Sequence, residues 1–377
     1  VKVALVHDWL TGMRGGERVL EAVCPLFPEA DLYTLFHLPG RVSPAIERMR
    51  IRTSWLQRLP GLAREHRYYL PLFPAAVRGF DLRGYDLILS LSHCVAKAAR
   101  RPSGAVHVCY ILSPMRYAWD QFEAYMAGRR ASWLVRWAAA RAAEGLRRWD
   151  AATAGRVDRY VAISRHVARR VERYYARVAD VIYPPVDLDR FRLGTGPGDY
   201  YLVVSALVPY KRVDLAVEAF SRLGLPLRVV GDGPEARRLR ALAGPSVAFL
   251  GWLPDPQVAE VLRDCRALVF PGEEDFGLAP LEAQACGRPV IAFGRGGVTE
   301  TVVPLEQAGV GGELGKGSTG LFFSEQSVDA LIEAVGRFEA AADQFDPAAI
   351  RAHVLPFNRE RFQRELKAYL EACLPSR

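Results

Sequence analysis

The sequence predicts an α/β protein built from two doubly wound, Rossmann-like domains, and three observations carry that reading. Short apolar runs alternate with helix-length segments through both halves, the pattern of parallel strands joined by crossover helices. The tract Tyr183-Pro-Pro-Val-Asp187 breaks helix and strand alike and fits a linker between lobes. The chain has 377 residues, 50% of them hydrophobic, enough for two ordinary cores.

In the first half, strands are expected at 2–7, 31–35, 86–91, 106–111 and 159–162. The first is followed by His7-Asp-Trp-Leu-Thr-Gly-Met-Arg-Gly-Gly-Glu-Arg18, a strand end, a glycine-containing loop and a helix start. Gly15 and Gly16 leave that helix N-terminus uncovered, which suits a phosphate or close approach of an acceptor; a flexible connecting loop is the alternative. After the fourth strand, Tyr110-Ile-Leu-Ser-Pro-Met-Arg-Tyr-Ala-Trp-Asp120 offers Arg116 and Asp120 as polar groups for an acceptor, or as a structural pair. Between 129 and 148, helical spacing gathers Arg136, Arg141, Arg147 and Arg148 with Trp133 and Trp137 on one broad face. Arginine interleaved with tryptophan suits an anionic membrane surface, and equally a helix packed on its lobe with arginines in solvent.

The second half restarts the pattern, with strands at 200–205, 227–230, 247–250, 267–270 and 289–293 and a helix at 213–223. Val208-Pro-Tyr-Lys-Arg212 puts Lys211 and Arg212 at a strand-to-helix turn, where cations oppose the helix dipole unless an anion sits nearby. Val230-Gly-Asp-Gly-Pro-Glu235 brings Gly231 and Gly233 to a tight turn where backbone can approach a ligand. The most specific signal is Pro271-Gly-Glu-Glu-Asp-Phe-Gly-Leu-Ala-Pro-Leu-Glu282, with two carboxylates, Glu274 and Glu282, on either side of the Phe276-Gly277-Leu278 turn. A helix start suits phosphate while carboxylates accept hydrogen bonds from hydroxyls, so a ligand wanting both is a nucleotide-sugar. Gly294-Arg-Gly-Gly-Val-Thr-Glu-Thr301 adds Gly296 and Gly297 in a second glycine-rich turn. A helix over 359–373 closes the chain.

On these motifs the sequence resembles the retaining glycosyltransferases of family 4 over nearly its whole length. The resemblance implies a GT-B fold, with two Rossmann-like domains facing across a cleft. The N-terminal, acceptor-side domain would be 1–183 rejoined by 359–377, and the donor domain 184–358. It implies that Glu274 contacts the donor sugar and Glu282 the ribose. Lys211 would meet the diphosphate, helped by Arg212. Gly231, Gly233, Phe276, Gly277, Leu278, Gly296 and Gly297 would line the donor. Asp8, Gly15 and Gly16 would face the acceptor, with Arg116 and Asp120. Two positions depart from the family pattern: Leu112 stands where a sugar-contacting His is common, and Ala206 where an Arg binds the diphosphate.

Composition narrows the partners. The net charge of +8 is uneven: residues 1–183 hold 29 Lys and Arg against 16 Asp and Glu, a balance of +13, and the rest carries −5. The basic half has no zinc-finger or RNA-binding signature, so nucleic acid is not expected; an anionic membrane surface or a phosphorylated acceptor is. Neither a spanning helix nor a signal peptide is read in the chain, and the six cysteines lack a C-x-x-C pair. Asp187-Leu-Asp189 is not read as a metal site, and Gly309–Lys316 fails as a phosphate loop because Val310 and Gly317 replace required residues. The expected activity is metal-independent transfer of a sugar, with no cofactor beyond the nucleotide-sugar donor, onto a glycan or polyprenyl-linked acceptor. GDP-mannose is a common donor among close relatives. The setting would be bacterial polysaccharide or glycolipid assembly, cytoplasmic or peripheral on the inner face of the membrane. A non-catalytic nucleotide-sugar or glycan-binding protein is the rival, and a GT-B epimerase or phosphorylase a third reading.

Overall fold

The computed structural model describes residues 1–62, 66–119, 133–305 and 317–375. It divides into one unit of Val1–Pro185 with Arg359–Arg377 and a second of Val186–Asn358. The division falls two residues beyond Tyr183, and the chain returns to the first unit at Arg359.

The first unit holds seven strands: β1 Val3–His7, β2 Asp31–Thr34, β3 Arg50–Thr53, β4 Leu87–Ser92, β5 Val106–Ile111, β6 Arg159–Ala162 and β7 Ala179–Val181. They form one sheet in the order β3-β2-β1-β4-β5-β6-β7, and every pairing is parallel. β1 and β4 lie at its centre and are buried along their whole lengths, as their unbroken apolar runs require. The order reverses between β1 and β4, so the loops leaving these two strands diverge to opposite faces. β3 and β7 fall outside the expected strands because they are edges. Arg50-Ile-Arg-Thr53 is mostly exposed and charged, which blunts an edge but erases the apolar alternation that marks a strand. The closing helix, Arg359–Cys373, buries Phe362, Leu366 and Leu370. Its Phe362 ring meets Tyr110 edge-on at 5.7 Å, and Gln363 donates to the Ala22 carbonyl at 2.8 Å.

A buried ion pair ties four pieces of this unit together. Lys97 and Asp150 are both fully buried, with Nζ 3.0 Å from Oδ1. Lys97 also donates to the Asp150 carbonyl at 2.6 Å, while Asp150 Oδ2 accepts from Trp119 Nε1 and Tyr175 Oη. These bonds pin the Arg116–Trp119 turn, the Trp133–Thr153 helix and the Arg165–Tyr175 helix to the segment after β4. Removing one partner would strand a buried charge, at a cost of about 3–5 kcal/mol.

The second unit holds β8 Tyr201–Val204, β9 Leu227–Val230, β10 Val247–Gly251, β11 Ala267–Phe270, β12 Val290–Phe293 and β13 Gly320–Phe323. Their order is β10-β9-β8-β11-β12-β13, again parallel throughout. Tyr201, Phe220, Val269, Ile291 and Phe338 belong to its core, where alternate strand residues meet the Val213–Leu223 and Val328–Ala340 helices. Here the strand order reverses between β8 and β11. That is the switch point of the sheet, and ligands of such sheets bind outside the carboxyl ends of the strands at that point.

No helix among the described residues is long and apolar enough to cross a membrane. The Gly309–Lys316 segment lies outside the described residues.

Candidate functional site

The loops that leave β8 and β11 carry Lys211 and Glu274, and at the switch point the two side chains meet. Lys211 Nζ forms an ion pair with Glu274 Oε1, with each side chain only 14% and 18% exposed. Lys211 closes a short 3-10 turn, Pro209–Lys211, and its ammonium also lies 5.4 Å from the centre of the Tyr210 ring. A cation and a carboxylate so placed can exchange their mutual bond for a ligand that offers both negative oxygens and hydroxyls.

Arg212 is placed differently from its neighbour. It adopts a left-handed backbone, φ 51°, as the residue before the Val213–Leu223 helix. Its guanidinium faces Asp214 in that helix's first turn, at 3.2 and 3.3 Å. That bond competes with any part for Arg212 in filling the place of the cation missing at Ala206.

The glycines hold the loops against one another, backbone to backbone. A Cβ on Gly231, at φ 132°, would stand 1.8 Å from the Ser205 carbonyl oxygen, and one on Gly233 would stand 2.3 Å from that of Leu207. Gly296 bridges Glu274 in parallel, and the Gly297 N–H donates to the Glu274 carbonyl at 2.8 Å. A Cβ on Gly297 would stand 2.2 Å from the Asp275 carbonyl oxygen. Gly277, at φ 87°, turns the chain into the Leu278–Ala285 helix, beside the buried Phe276. Glu282 sits one turn into that helix and is half-buried. These contacts explain why glycine recurs at the ends of β9 and β12: the frame around Glu274 has no room for side chains.

One residue at this end of the sheet escaped sequence reasoning. Trp252 follows β10 directly and is 75% exposed. The preceding Gly251 accepts from the Gly231 N–H at 2.7 Å, so Trp252 is tied to the same set of loops. An aromatic at the end of an edge strand gives no motif; only the register beside Gly231 reveals its position.

In the first unit, the corresponding loops are those after β1 and β4, and Asp8 joins them. Its carboxylate is fully buried and accepts four backbone N–H bonds, from His93, Cys94, Val95 and Ala96, at 2.6–2.9 Å. The expectation that Asp8 contacts an acceptor is therefore corrected: its oxygens are committed to the loop after β4. His93 Nδ1 lies 3.2 Å from the same carboxylate. Although a quarter of its side chain meets solvent, desolvation lowers the His93 pKa more than Asp8 raises it.

Gly15 and Gly16 open the Gly15–Val23 helix, with Gly15 exposed. Beneath them His7 is fully buried, 3.6 Å from Glu17. Burial pushes the Glu17 carboxyl upward, but the His7 interaction and the nearby His93 hold it below its ordinary value. Leu112 occupies the space over Gly16, where a Cβ would come within 3.0 Å of Leu112 Cδ1. The position thus makes an apolar contact in this unit. Arg116 begins the Arg116–Trp119 turn and is half-buried, whereas Asp120 lies outside the described residues.

The Trp133–Thr153 helix forms as expected, but its arginines do not act as one free face. Arg147 turns inward and donates through Nε to the Ala118 carbonyl, and Arg148 pairs with Glu144 at 3.0 Å. Arg141 is exposed and Trp137 is 62% exposed; the side chains of Trp133 and Arg136 lie outside the described set.

Among the described residues, no three His, Cys, Asp or Glu side chains group as a metal would require.

Residues 187–347 match the family model of the glycosyl transferases group 1. Among curated proteins, the chain is 33% identical over 255 residues to a D-inositol 3-phosphate glycosyltransferase of Geodermatophilus obscurus, covering 52% of this chain and 55% of that one. It is 28% identical over 151 residues to an uncharacterized glycosyltransferase of Methanocaldococcus jannaschii, covering 39% and 43%. The chain thus spans about half the length of the curated relatives it matches. Among solved structures, sucrose-phosphate synthase from Thermosynechococcus elongatus superposes with a TM-score of 0.73 at 20% identity over 99% of both chains. Anabaena HepE in complex with UDP-glucose gives 0.72 at 16% identity, over 99% and 100%. At such identities the likeness shows the fold.

Proposed function

We propose that this chain, whose residues 187–347 match the model of the glycosyl transferases group 1 and which has the GT-B fold, moves a sugar from a nucleotide-sugar onto an acceptor hydroxyl. The observation that carries the reading is the Lys211–Glu274 pair at the switch point of the second sheet. A donor entering there exchanges the pair for two new contacts. Lys211 meets the diphosphate, whose negative charge grows as the glycosidic bond breaks. Glu274, released from Lys211, accepts hydrogen bonds from sugar hydroxyls, and Glu282 from the ribose. The exposed face of Trp252 is available to the base. The UDP-glucose bound by Anabaena HepE supports a nucleotide-sugar as donor.

The configuration is retained by a front-face route in this reading. The bond from the anomeric carbon to the diphosphate oxygen breaks as the acceptor oxygen bonds to that carbon. The acceptor proton passes to the departing diphosphate. Lys211 supplies the positive charge at the leaving group, so metal is not required. Mannose from GDP-mannose remains the proposed donor, and a glycan or polyprenyl-linked hydroxyl the acceptor, in polysaccharide or glycolipid assembly at a membrane face. The Gly15–Gly16 turn is proposed to receive the acceptor.

A second reading, a binding protein without turnover, is favoured by Leu112 and Ala206, where hydrogen-bonding groups are missing. A thermal-shift and mass-spectrometric screen of nucleotide-sugars separates the two. Stabilisation with hydrolysis or transfer supports the enzyme, stabilisation with the donor intact supports the binding protein, and no shift with any nucleotide-sugar rejects both.

A further inference from the structure

On the flank of the first unit, a cavity of about 370 Å³ opens between β3 and the end of the Phe73–Arg78 helix. Its lining includes Tyr33, Arg52, Thr53, Trp55, Phe80 and Asp81. That volume lies within the range of small-molecule pockets, about 300–1,000 Å³. None of these residues belongs to the donor or acceptor motifs, and the cavity lies on a different unit from Lys211 and Glu274.

The walls combine aromatic faces with one group of each charge. Tyr33 and Phe80 pack with ring centres 5.4 Å apart, and the Tyr33 hydroxyl donates to the Asp81 carbonyl at 2.8 Å. Trp55 stands at the mouth, 45% exposed. Arg52 is held from behind: its Nε lies 3.1 Å from the buried Asp31, which leaves more than half of the side chain exposed. Asp81 is held likewise by Arg83, through two bonds of 2.8 and 2.6 Å. Arg52 has a buried partner before any ligand arrives, whereas Asp81 and Arg83 form an exposed pair that a ligand can readily share.

We propose that this cavity is a saccharide-binding site, with a sugar ring stacked on Trp55 and its hydroxyls shared between Arg52 and Asp81. A pyranose has an apolar C–H face that suits an indole ring, and its rim hydroxyls both donate and accept. It can give protons to a carboxylate and take them from a guanidinium in one ligand. A phosphate would meet the Asp81 carboxylate, and an aliphatic ligand would cover polar groups of Arg52 and Asp81 without bonding to them. The inference is independent of sugar transfer at Lys211, since it concerns holding a glycan, not reacting with it.

Saturation-transfer NMR on the full chain, with methyl α-mannopyranoside, methyl β-glucopyranoside and maltose as probes, tests the proposal. At least one probe should receive saturation, with Lys211→Ala giving the same signal as the parent. Trp55→Ala should weaken binding by about tenfold, and Asp81→Asn should reduce it. Because Trp55 is exposed, its variant should melt with the parent. No saturation transfer to any probe would overturn the site. So would a signal that is undiminished in Trp55→Ala, or one that vanishes in Lys211→Ala. Sedimentation showing a dimer that Trp55→Ala dissociates would overturn it as well.

Discussion

Lys211 and Glu274 satisfy each other until a ligand offers both of them something better, and that sets the pattern of the mutations. In the proposed reading, Glu274→Ala should mainly slow turnover, because it would remove a sugar contact while freeing Lys211 for the diphosphate. Glu282→Ala should weaken nucleoside diphosphate binding by roughly 1.5–3 kcal/mol, the worth of one charge-assisted hydrogen bond. Calorimetric titration beside steady-state rates checks the contrast; two variants with the parent's affinity and rate would remove both carboxylates from the site. A second residue governs pH dependence. His107 is fully buried, with Nε2 2.8 Å from Ser90 Oγ, and burial drives its pKa down to about 4. The unfolded chain takes up that proton near pH 6.5, the folded chain only near pH 4. The stabilisation is therefore complete above pH 6.5 and declines as pH falls towards 4, by about 3 kcal/mol in all. Urea denaturation at pH 7 and pH 4.5 should show a smaller loss in His107→Gln than in the parent, and equal losses would contradict the assignment. The sequence made Glu274 legible through its spacing from Glu282, but not the burial of His107 or Asp8. Asp8 reads as a loop carboxylate until the N–H groups after β4, more than eighty residues on, are seen to converge on it.

At the scale of elements, the frame around Glu274 rests on glycines that admit no Cβ. Gly297→Ala would put a carbon 2.2 Å from the Asp275 carbonyl oxygen. Overpacking of that kind costs about 1–3 kcal/mol, and here it should also displace Glu274 and reduce nucleotide binding. Gly336 supplies the contrast: it lies within the Val328–Ala340 helix with nothing within 4 Å of its would-be Cβ. Gly336→Ala should stabilise the chain by about 0.5–1 kcal/mol with donor binding unchanged. Melting curves of the two variants should move in opposite directions; a shift the same way in both would refute the packing argument. The central strands of both sheets were legible because burial on two faces demands unbroken apolar runs. Edge strands carry no such demand. β3 is charged and β7 has three residues, so neither stands out, and β13 follows a stretch of glycines that reads as loop. One residue of the arginine face on the Trp133–Thr153 helix departs from the outward position that spacing predicts. Helical spacing places Arg147 among the outward residues, while the Ala118 carbonyl draws its side chain inward.

For the whole molecule, the +13 balance before Pro184 is the feature most open to a surface partner. Each basic residue near an anionic membrane contributes on the order of 1 kcal/mol, fading within a Debye length of about 8 Å. Binding to anionic but not neutral liposomes, declining as salt rises, is the expected outcome of flotation assays. Arg141→Gln with Trp137→Ala should lower it more than Arg147→Gln, because Arg147 is engaged within the unit. No flotation at low salt would leave the basic half to an acceptor or to solvent. The fold class is legible because each strand and each loop motif lies in contiguous sequence; the partner of each loop is not, because pairing across a switch point joins residues far apart in the chain. The proposed role of Lys211 is to meet the diphosphate of a nucleotide-sugar as its glycosidic bond breaks. It is tested most directly by the rate of nucleoside diphosphate release from a nucleotide-sugar that the parent turns over. Lys211→Ala should lower that rate by about 10²–10³, with the fold intact by circular dichroism. A folded Lys211→Ala that releases nucleoside diphosphate at the parent's rate would contradict it.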